Sequence, residues 1–211
     1  MKQFTFDLTQ NSDIPLPQAN IRYFSHFIQT EQAENVLRIL TNELQWRQDY
    51  IRLYGREHKI PRLQAWYGDV GTDYQYSGLK MNPIPWHPLL LQLKKRCEVE
   101  CATLFNSVLC NYYRDGQDSM GMHSDDESEL GIEPTIASLS FGQPRILIFK
   151  HKSSGKRHKI ELEHGSLLVM AGATQTYWQH GIDKTRRNVA PRLNLTFRHI
   201  KRVIKRVINS V

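Results

Sequence analysis

The spacing of apolar residues divides the chain into a mixed first half and a strand-rich second half. Residues 32–46 place apolar side chains three and four positions apart, which predicts an amphipathic helix with Thr30 as a candidate N-cap. A second helix is predicted over 89–102, after a segment broken by prolines. Shorter segments predict a hairpin or strand over 48–62, a strand over 63–67 and a period-two strand over 74–76, after an irregular arm at 1–20.

From Phe105 onward, apolar and polar residues alternate in short runs that are mostly separated by glycine or proline. The predicted strands are 105–113, 135–141, 145–151, 157–162, 166–171, 176–180 and 191–199. Many short strands without helices between them are typical of a barrel or jelly roll and not of a parallel α/β sheet. We therefore expect an α+β protein that is mainly β.

Composition and charge narrow the class of protein. With 211 residues and 40% hydrophobic residues, the chain can form one substantial core. The longest apolar run, 167–173, is too short to cross a bilayer, and the first residues lack the apolar stretch of a signal peptide. Three cysteines favour a reducing compartment and buried thiols. The net charge of +7 favours a polyanionic partner, and the basic run 198–206 is either a solvated helix end or a phosphate contact.

One His-x-Asp pair stands out as a candidate metal site. His123 and Asp125 follow an alternating run, and side chains two residues apart on an extended chain point to the same side. Taken alone, the pair also fits a surface acidic turn. With a second histidine it would form the two-histidine, one-carboxylate arrangement of non-haem Fe(II) oxygenases. His180 is the best candidate because it ends a predicted strand, whereas the histidines of the basic loop 151–158 are expected to be solvated.

A second informative stretch is the predicted strand 191–198, with the sequence PRLNLTFR. Its alternation places polar side chains on one face: Arg192, Asn194, Thr196 and Arg198. If this face points into the barrel, the two guanidinium groups need anions, and a dicarboxylate would satisfy both. The alternative is a basic strand that faces solvent. Upstream, Asn111 and Tyr113 share a face and offer an amide and a phenol to the same ligand, unless they form a half-exposed strand face.

The order of these motifs resembles the AlkB family of Fe(II)/2-oxoglutarate-dependent nucleic-acid dealkylases, in particular the members that repair alkylated DNA. The likeness is carried by HSDD (123–126), ASLSFG (137–142), HGSLLVM (164–170), His180 and PRLNLTFR (191–198). It extends from about Tyr54 to Arg198. It implies N-terminal helices and a nucleotide-recognition lid (1–104), a double-stranded β-helix, or cupin-like jelly roll (105–200), and a basic tail (201–211), in one compact unit.

The resemblance also implies a cofactor, two co-substrates and their ligands. Fe(II) would be held by three residues: His123, Asp125 and His180. 2-Oxoglutarate and O2 would be the co-substrates. Arg192, with Tyr113, would bind the distal carboxylate of 2-oxoglutarate. Arg198 and Asn111 would orient the carboxylate beside the metal. Two residues on the same face are lesser candidates: Asn194 and Thr196.

The implied nucleotide site lies around the metal. A flipped base would stack between Tyr76 and the metal ligand His123, with Tyr74 on the same face as Tyr76. Asp126 would contact the edge of the base, or alternatively support the iron site.

The implied hairpin around 53–55 inserts a side chain where the base has left. Tyr54, followed by Gly55, would be that wedge, unless it is a core aromatic residue. Arg56 and Arg62 would lie near phosphates.

The function expected from this likeness is oxidative demethylation of 1-methyladenine and 3-methylcytosine, with release of formaldehyde. The expected partner is alkylated DNA, single- or double-stranded, or RNA. We expect a monomer without membrane association, in a bacterial cytoplasm, or in the nucleus if the source is eukaryotic. A protein or small-molecule hydroxylase fits the metal and arginine positions equally well. A non-enzymatic binding module is the third alternative, and it would be expected to lack a metal ligand.

Overall fold

Two antiparallel sheets pack face to face in a computed structural model that describes residues 11–53, 55–76 and 79–201. The larger sheet has seven strands, in the order β1 (Asn11–Asp13), β2 (Asn20–Phe24), β13 (Ser166–Ala171), β10 (Ile136–Gly142), β15 (Arg192–Arg198), β8 (Ser107–Tyr113) and β5 (Leu63–Gly68). The smaller sheet has four, in the order β12 (Arg157–Leu162), β11 (Arg145–His151), β14 (Trp178–Ile182) and β9 (Met120–His123). Two hairpins stand apart, β3 (Tyr50–Leu53) with β4 (Arg56–Lys59) and β6 (Tyr74–Tyr76) with β7 (Leu79–Met81).

Two long helices cover the outer face of the larger sheet. Helix α1 (Thr30–Glu43) buries Ala33, Val36 and Leu40, whose spacing predicted a helix, although Thr30 is its first residue and Gln29 is the N-cap. Helix α2 (Pro88–Cys101) starts with a proline, and the His87 side chain accepts a hydrogen bond from the Leu89 N–H. A single helical turn, α3 (Thr174–Tyr177), and a 3-10 turn (Ser128–Leu130) complete the helices of the described residues.

The larger sheet buries both of its faces, in two different layers. Its outer face packs against the helices through apolar side chains that include Val108, Cys110, Leu193, Leu195 and Phe197. Its inner face packs against the smaller sheet. All seven residues of β15 are buried, so the polar face of that strand lies inside the protein between the two sheets. The predicted mainly β, jelly-roll fold is confirmed, and among the described residues no helix is long and apolar enough to cross a membrane.

Three local predictions differ from the structure. Strand β1 lies within the predicted irregular arm 1–20, and strand β2 begins at the last residue of that arm and continues through residues for which no element was predicted. Arg22, which pairs with Glu100 at 3.1 Å, interrupts the apolar pattern that would have marked β2. The helical turn α3 delays the strand predicted at 176–180, so His180 lies within β14 and does not end it. His151 is buried, with Nε2 3.1 Å from Gln18 Oε1, because β11 runs through the start of the predicted basic loop.

Candidate metal and co-substrate site

The three predicted metal ligands converge where the end of β9 meets the middle of β14. His123 ends β9 and His180 lies directly opposite it in β14, with their ring centres 4.4 Å apart. The ligand atoms of His123, Asp125 and His180 all lie within 4.8 Å of one another. The predicted convergence is confirmed, although Asp125 reaches the point from the loop after β9 and not from the strand itself.

The protonation states of these groups suit a divalent cation. His123 Nδ1 lies 3.0 Å from the Gly121 carbonyl oxygen, which can only accept, so Nδ1 is the donor in this contact and Nε2 is the nitrogen that faces a metal. Burial alone would raise the pKa of Asp125, but Arg198, His180 and His123 lower it to about 2. Burial, together with His123, lowers the pKa of His180 to about 3. At neutral pH the site therefore offers a carboxylate and a neutral imidazole, the forms that bind metal.

The hydrogen bonds around Asp125 leave one oxygen for an ion. Arg198 Nη2 donates to Asp125 Oδ1 at 2.5 Å, and the Asp125 N–H donates to Gln175 Oε1 at 2.9 Å. Asp125 Oδ2 is buried and has no hydrogen-bond partner among the described residues. A buried carboxylate oxygen without a donor, beside two imidazoles, fits Fe(II). Sequence reasoning missed Gln175, because nothing in the chain pattern links it to a residue 50 positions away.

The opposite wall of the site comes from the larger sheet. A cavity of about 410 Å³, including its open mouth, lies between the metal residues and this wall. Five of the six residues predicted to bind 2-oxoglutarate line it: Tyr113, Arg192, Asn194, Thr196 and Arg198. Asn111 is outside the lining, but it pairs directly with Asn194 across the sheet and is fully buried. The remaining lining is mainly apolar: Met120, Leu147, Leu162, Leu168, Met170 and Ile182.

Arg192 is a buried cation without a matching anion. It is 1% exposed, its Nη2 donates to Ser140 Oγ at 2.9 Å, and its Cζ lies 5.0 Å from the centre of the Tyr113 ring. The described residues provide no carboxylate for it and no acceptor for its Nε or Nη1. Burial lowers its pKa, but a guanidinium remains charged in proteins. A carboxylate bound in the cavity would supply the missing partner.

Arg198 differs from Arg192, because it already contacts the ligand Asp125. Its predicted role toward 2-oxoglutarate stays a prediction, and the structure adds a role in holding Asp125. Sequence reasoning also missed two serines of β10. Ser138 Oγ accepts from Asn194 Nδ2 at 2.8 Å, and Ser140 Oγ accepts from Arg192. Their signal was present in ASLSFG, where serines two residues apart lie on the same face of the sheet as the polar residues of β15.

Of the residues predicted to contact the base, the structure describes the side chain of Asp126 but not those of Tyr74 and Tyr76. Asp126 is exposed, and its Oδ2 lies 3.2 Å from Lys152 Nζ, which also donates to the Gln175 carbonyl at 2.9 Å. Among the described residues, the Asp126 side chain forms a hydrogen bond with Lys152 and none with the metal ligands. Tyr74 and Tyr76 belong to strand β6, but their side chains lie outside the described residues.

The predicted wedge hairpin exists as β3 and β4, joined at a turn that contains Gly55 in a left-handed conformation, with a φ of 77°. Arg56 is exposed beside this turn, and Tyr54 lies outside the described residues. Arg62 is not near the surface, contrary to the predicted phosphate contact. It is 3% exposed, and its Nε donates to Asn111 Oδ1 at 2.7 Å. Arg56 belongs to β4, whose residues are all exposed, whereas Arg62 directly precedes β5 of the larger sheet.

Comparison with known proteins decides the family. The sequence model of the 2OG-Fe(II) oxygenase superfamily matches residues 20–198. The chain is 44% identical to the mouse DNA oxidative demethylase ALKBH2, over 80% of this chain and 75% of that protein. It is 40% identical to the human alpha-ketoglutarate-dependent dioxygenase alkB homolog 3, over 88% of this chain and 68% of that protein. This chain belongs to the AlkB family. The predicted resemblance is thereby confirmed, and Fe(II), 2-oxoglutarate and O2 are the cofactor and co-substrates of this AlkB-family oxygenase.

Two further comparisons bear on extent and fold. Bovine DNA oxidative demethylase ALKBH2 is 43% identical over 74% of this chain, which spans 59% of the bovine protein's length. A solved structure of OsALKBH1 superposes with a TM-score of 0.66 at 15% identity, covering 90% of this chain and 100% of that one. At this identity the match supports the AlkB-family fold alone.

Proposed function

We propose that this AlkB-family protein removes methyl groups oxidatively from 1-methyladenine and 3-methylcytosine in DNA, as a direct reversal of alkylation damage. The observation that carries the proposal is the site itself. Three metal ligands face a buried arginine that has no anion among the described residues. The chain is 44% identical to a protein named DNA oxidative demethylase ALKBH2 and 40% identical to one named alkB homolog 3. RNA that carries the same lesions is a further substrate of this proposal.

His123, Asp125 and His180 would hold Fe(II), which with 2-oxoglutarate and O2 would supply the oxidising power to hydroxylate an N-methyl carbon, with succinate and CO2 as the other products. The hydroxymethyl group then leaves the base nitrogen as formaldehyde. The protein's own residues orient these partners. Arg192 binds the distal carboxylate of 2-oxoglutarate, Arg198 fixes Asp125, and the apolar lining excludes water from the reacting carbon.

The exposure of the three ligands supports a direction of approach. His123 is partly exposed, whereas Asp125 and His180 are buried. A flipped base would therefore approach from the side of His123, and Asp126, three residues further along the chain, is exposed as well. A damaged base is the easiest to flip, because its pairing is already lost. The net charge of +7 supports attraction of a polyanion.

The test of the proposed function is a panel of methylated single- and double-stranded DNA and RNA oligomers, incubated with Fe(II), ascorbate and 2-oxoglutarate. We expect loss of one methyl mass per lesion and an equal amount of formaldehyde, with unmethylated oligomers as the control. If the protein consumes 2-oxoglutarate but no oligomer stimulates or undergoes the reaction, the nucleic-acid assignment is wrong and a protein or small-molecule hydroxylase becomes the better candidate.

The lesion preference tests the proposed role of Asp126. Both 1-methyladenine and 3-methylcytosine are cations, and in the free protein Asp126 already pairs with the ammonium group of Lys152. We infer that a cationic base takes the place of that ammonium. We expect Asp126→Asn to lower turnover of 3-methylcytosine by about tenfold or more, because a hydrogen bond to a charged group contributes roughly 1.5–3 kcal/mol. Turnover of neutral 3-methylthymine should change little.

The matched control is Glu133→Gln, which removes an exposed carboxylate seven residues along the chain. Competition between the two lesions in one strand, followed by mass spectrometry, measures the preference directly. Equal turnover of 3-methylcytosine and 3-methylthymine by the wild type would show that Asp126 does not select for charge.

A further inference from the structure

We propose that Arg62 is a positioning residue for 2-oxoglutarate, which acts by fixing the side-chain amide of Asn111. Arg62 follows strand β4 by three residues and is buried. Its Nε donates to Asn111 Oδ1 at 2.7 Å, and Gln64 Nε2 donates to the same oxygen at 3.2 Å. Asn111 is fully buried in strand β8, on the face that carries Tyr113.

The arginine removes the ambiguity of the amide. A guanidinium N–H can only donate, so the Asn111 atom beside it must be the oxygen, and Nδ2 must take the other limb of the amide. Asn111 Nδ2 is buried and has no acceptor among the described residues. Asn111 pairs across the sheet with Asn194, which lines the cavity. An acceptor supplied by a ligand, such as a carboxylate oxygen of 2-oxoglutarate, would satisfy this donor.

Without Arg62, an alternative arrangement becomes available. Gln64 Oε1 is also buried without a partner in the part of the chain that the structure describes. If both amides turned over, Asn111 Nδ2 would donate to Gln64 Oε1, and Asn111 would present its oxygen to the ligand. Two oxygens facing each other repel, so this arrangement would weaken carboxylate binding. Arg62 excludes it, because the turned amide would place one donor against another.

A second contact ties Arg62 to the metal strand. Its Nη1 donates to the Ser119 carbonyl at 3.0 Å, and the Ser119 N–H donates to the Pro61 carbonyl at 2.9 Å. Ser119 directly precedes β9, the strand that ends in His123. Arg62 thus joins the co-substrate wall to the strand of a metal ligand, which explains why an arginine is buried there.

The inference rests on the proposed placement of 2-oxoglutarate in the cavity, and not on the identity of the nucleic acid. The test uses the full chain loaded with Mn(II) in the absence of O2, titrated with 2-oxoglutarate by calorimetry. We expect Arg62→Met to weaken 2-oxoglutarate binding about three- to tenfold, the range of one or two ordinary hydrogen bonds. Arg62→Lys should recover part of the affinity, since it keeps a donor. Arg157→Met, which changes an exposed arginine of strand β12, should leave the affinity for 2-oxoglutarate unchanged.

A double-mutant cycle shows whether Arg62 acts through Asn111. In an Asn111→Ala background, Arg62→Met should have little further effect on 2-oxoglutarate affinity. Additive effects would overturn the proposal. A wild-type affinity of Arg62→Met for 2-oxoglutarate would also overturn it. If that variant in addition bound methylated oligonucleotide more weakly and with a shallower salt dependence, Arg62 would be a phosphate contact.

Two outcomes separate this inference from the proposed function. If the wild type itself fails to bind 2-oxoglutarate, the assignment of the cavity is wrong, and not only the role of Arg62. If Arg62→Met does not fold, as shown by its melting curve, Arg62→Lys decides. A wild-type affinity in that variant would overturn the proposal, because lysine cannot make both contacts of the guanidinium.

Discussion

Replacing His123 with alanine is expected to abolish formaldehyde release from methylated oligonucleotide while leaving the fold intact. His123 supplies one of the three ligand atoms that lie within 4.8 Å of one another. Loss of an outer-shell partner alone lowers metal affinity or activity by about 10- to 100-fold, so loss of a direct ligand should exceed that range. His123 is also partly exposed at the end of a strand, so its removal opens little of the core.

His123 is a better test than Asp125 for a physical reason. Asp125 balances the buried guanidinium of Arg198, and removing one partner of a buried ion pair destabilises a protein by about 3–5 kcal/mol. An Asp125→Ala variant would therefore lose activity through unfolding as well as through loss of the ligand. His26→Ala, which changes an exposed histidine before helix α1, is the matched control.

Three measurements check the His123 prediction: formaldehyde release, binding of Mn(II), and the melting temperature with and without metal. We expect the variant to melt like the metal-free wild type and to lose the stabilisation that metal gives the wild type. Loss of an outer-shell partner already lowers activity by about tenfold or more. A variant that keeps activity within about tenfold of the wild type would therefore exclude His123 as a ligand.

Changing Arg192 to methionine is expected to raise the 2-oxoglutarate concentration for half-maximal turnover by about 10- to 100-fold, because a charge-assisted bond contributes roughly 1.5–3 kcal/mol. In the absence of ligand, Arg192 is buried with two nitrogens that lack acceptors among the described residues. Methionine removes that unfavourable charge. We therefore expect the melting temperature of the free protein to stay the same or to rise, which is the opposite of a simple structural defect.

Arg145 provides the control for Arg192. It is also buried beside Tyr113, with its Cζ 6.0 Å from the ring centre, but its guanidinium donates to backbone oxygens of Asp115, Asp118 and Asp183. Arg145→Met should lower the melting temperature without a specific change in the 2-oxoglutarate requirement. If Arg192→Met left that requirement unchanged at full metal occupancy, the distal carboxylate must bind elsewhere.

The sequence was most informative where the two faces of one strand meet two different environments. The alternation of β15 predicted which residues share its polar face and which share its apolar face, because side chains alternate along a strand. The structure places the polar face toward the cavity and the apolar face toward the helices. The order of the motifs likewise predicted that His180 would join His123 and Asp125. Strand β2 was missed because both of its faces are partly buried and Arg22 interrupts its pattern.

Contacts between distant segments could not be predicted in the same way. Periodicity tells which way a side chain points, but not which group it meets. Arg62 looks like a surface arginine beside a hairpin, and only the structure shows its contact with Asn111, 49 positions away. Gln175 lies in a helical turn, just before the strand that was predicted over 176–180, so its contact with the backbone of Asp125 had no sequence signal.

The two-sided burial of β15 has a consequence for how the enzyme matures. A slip of one residue in its pairing would turn both arginines toward the apolar layer under the helices and would turn leucine and phenylalanine side chains into the cavity. Such a chain would be unstable as well as inactive. Stable folding and activity therefore depend on the same strand register, and molecules that fold stably hold both guanidinium groups on the cavity side.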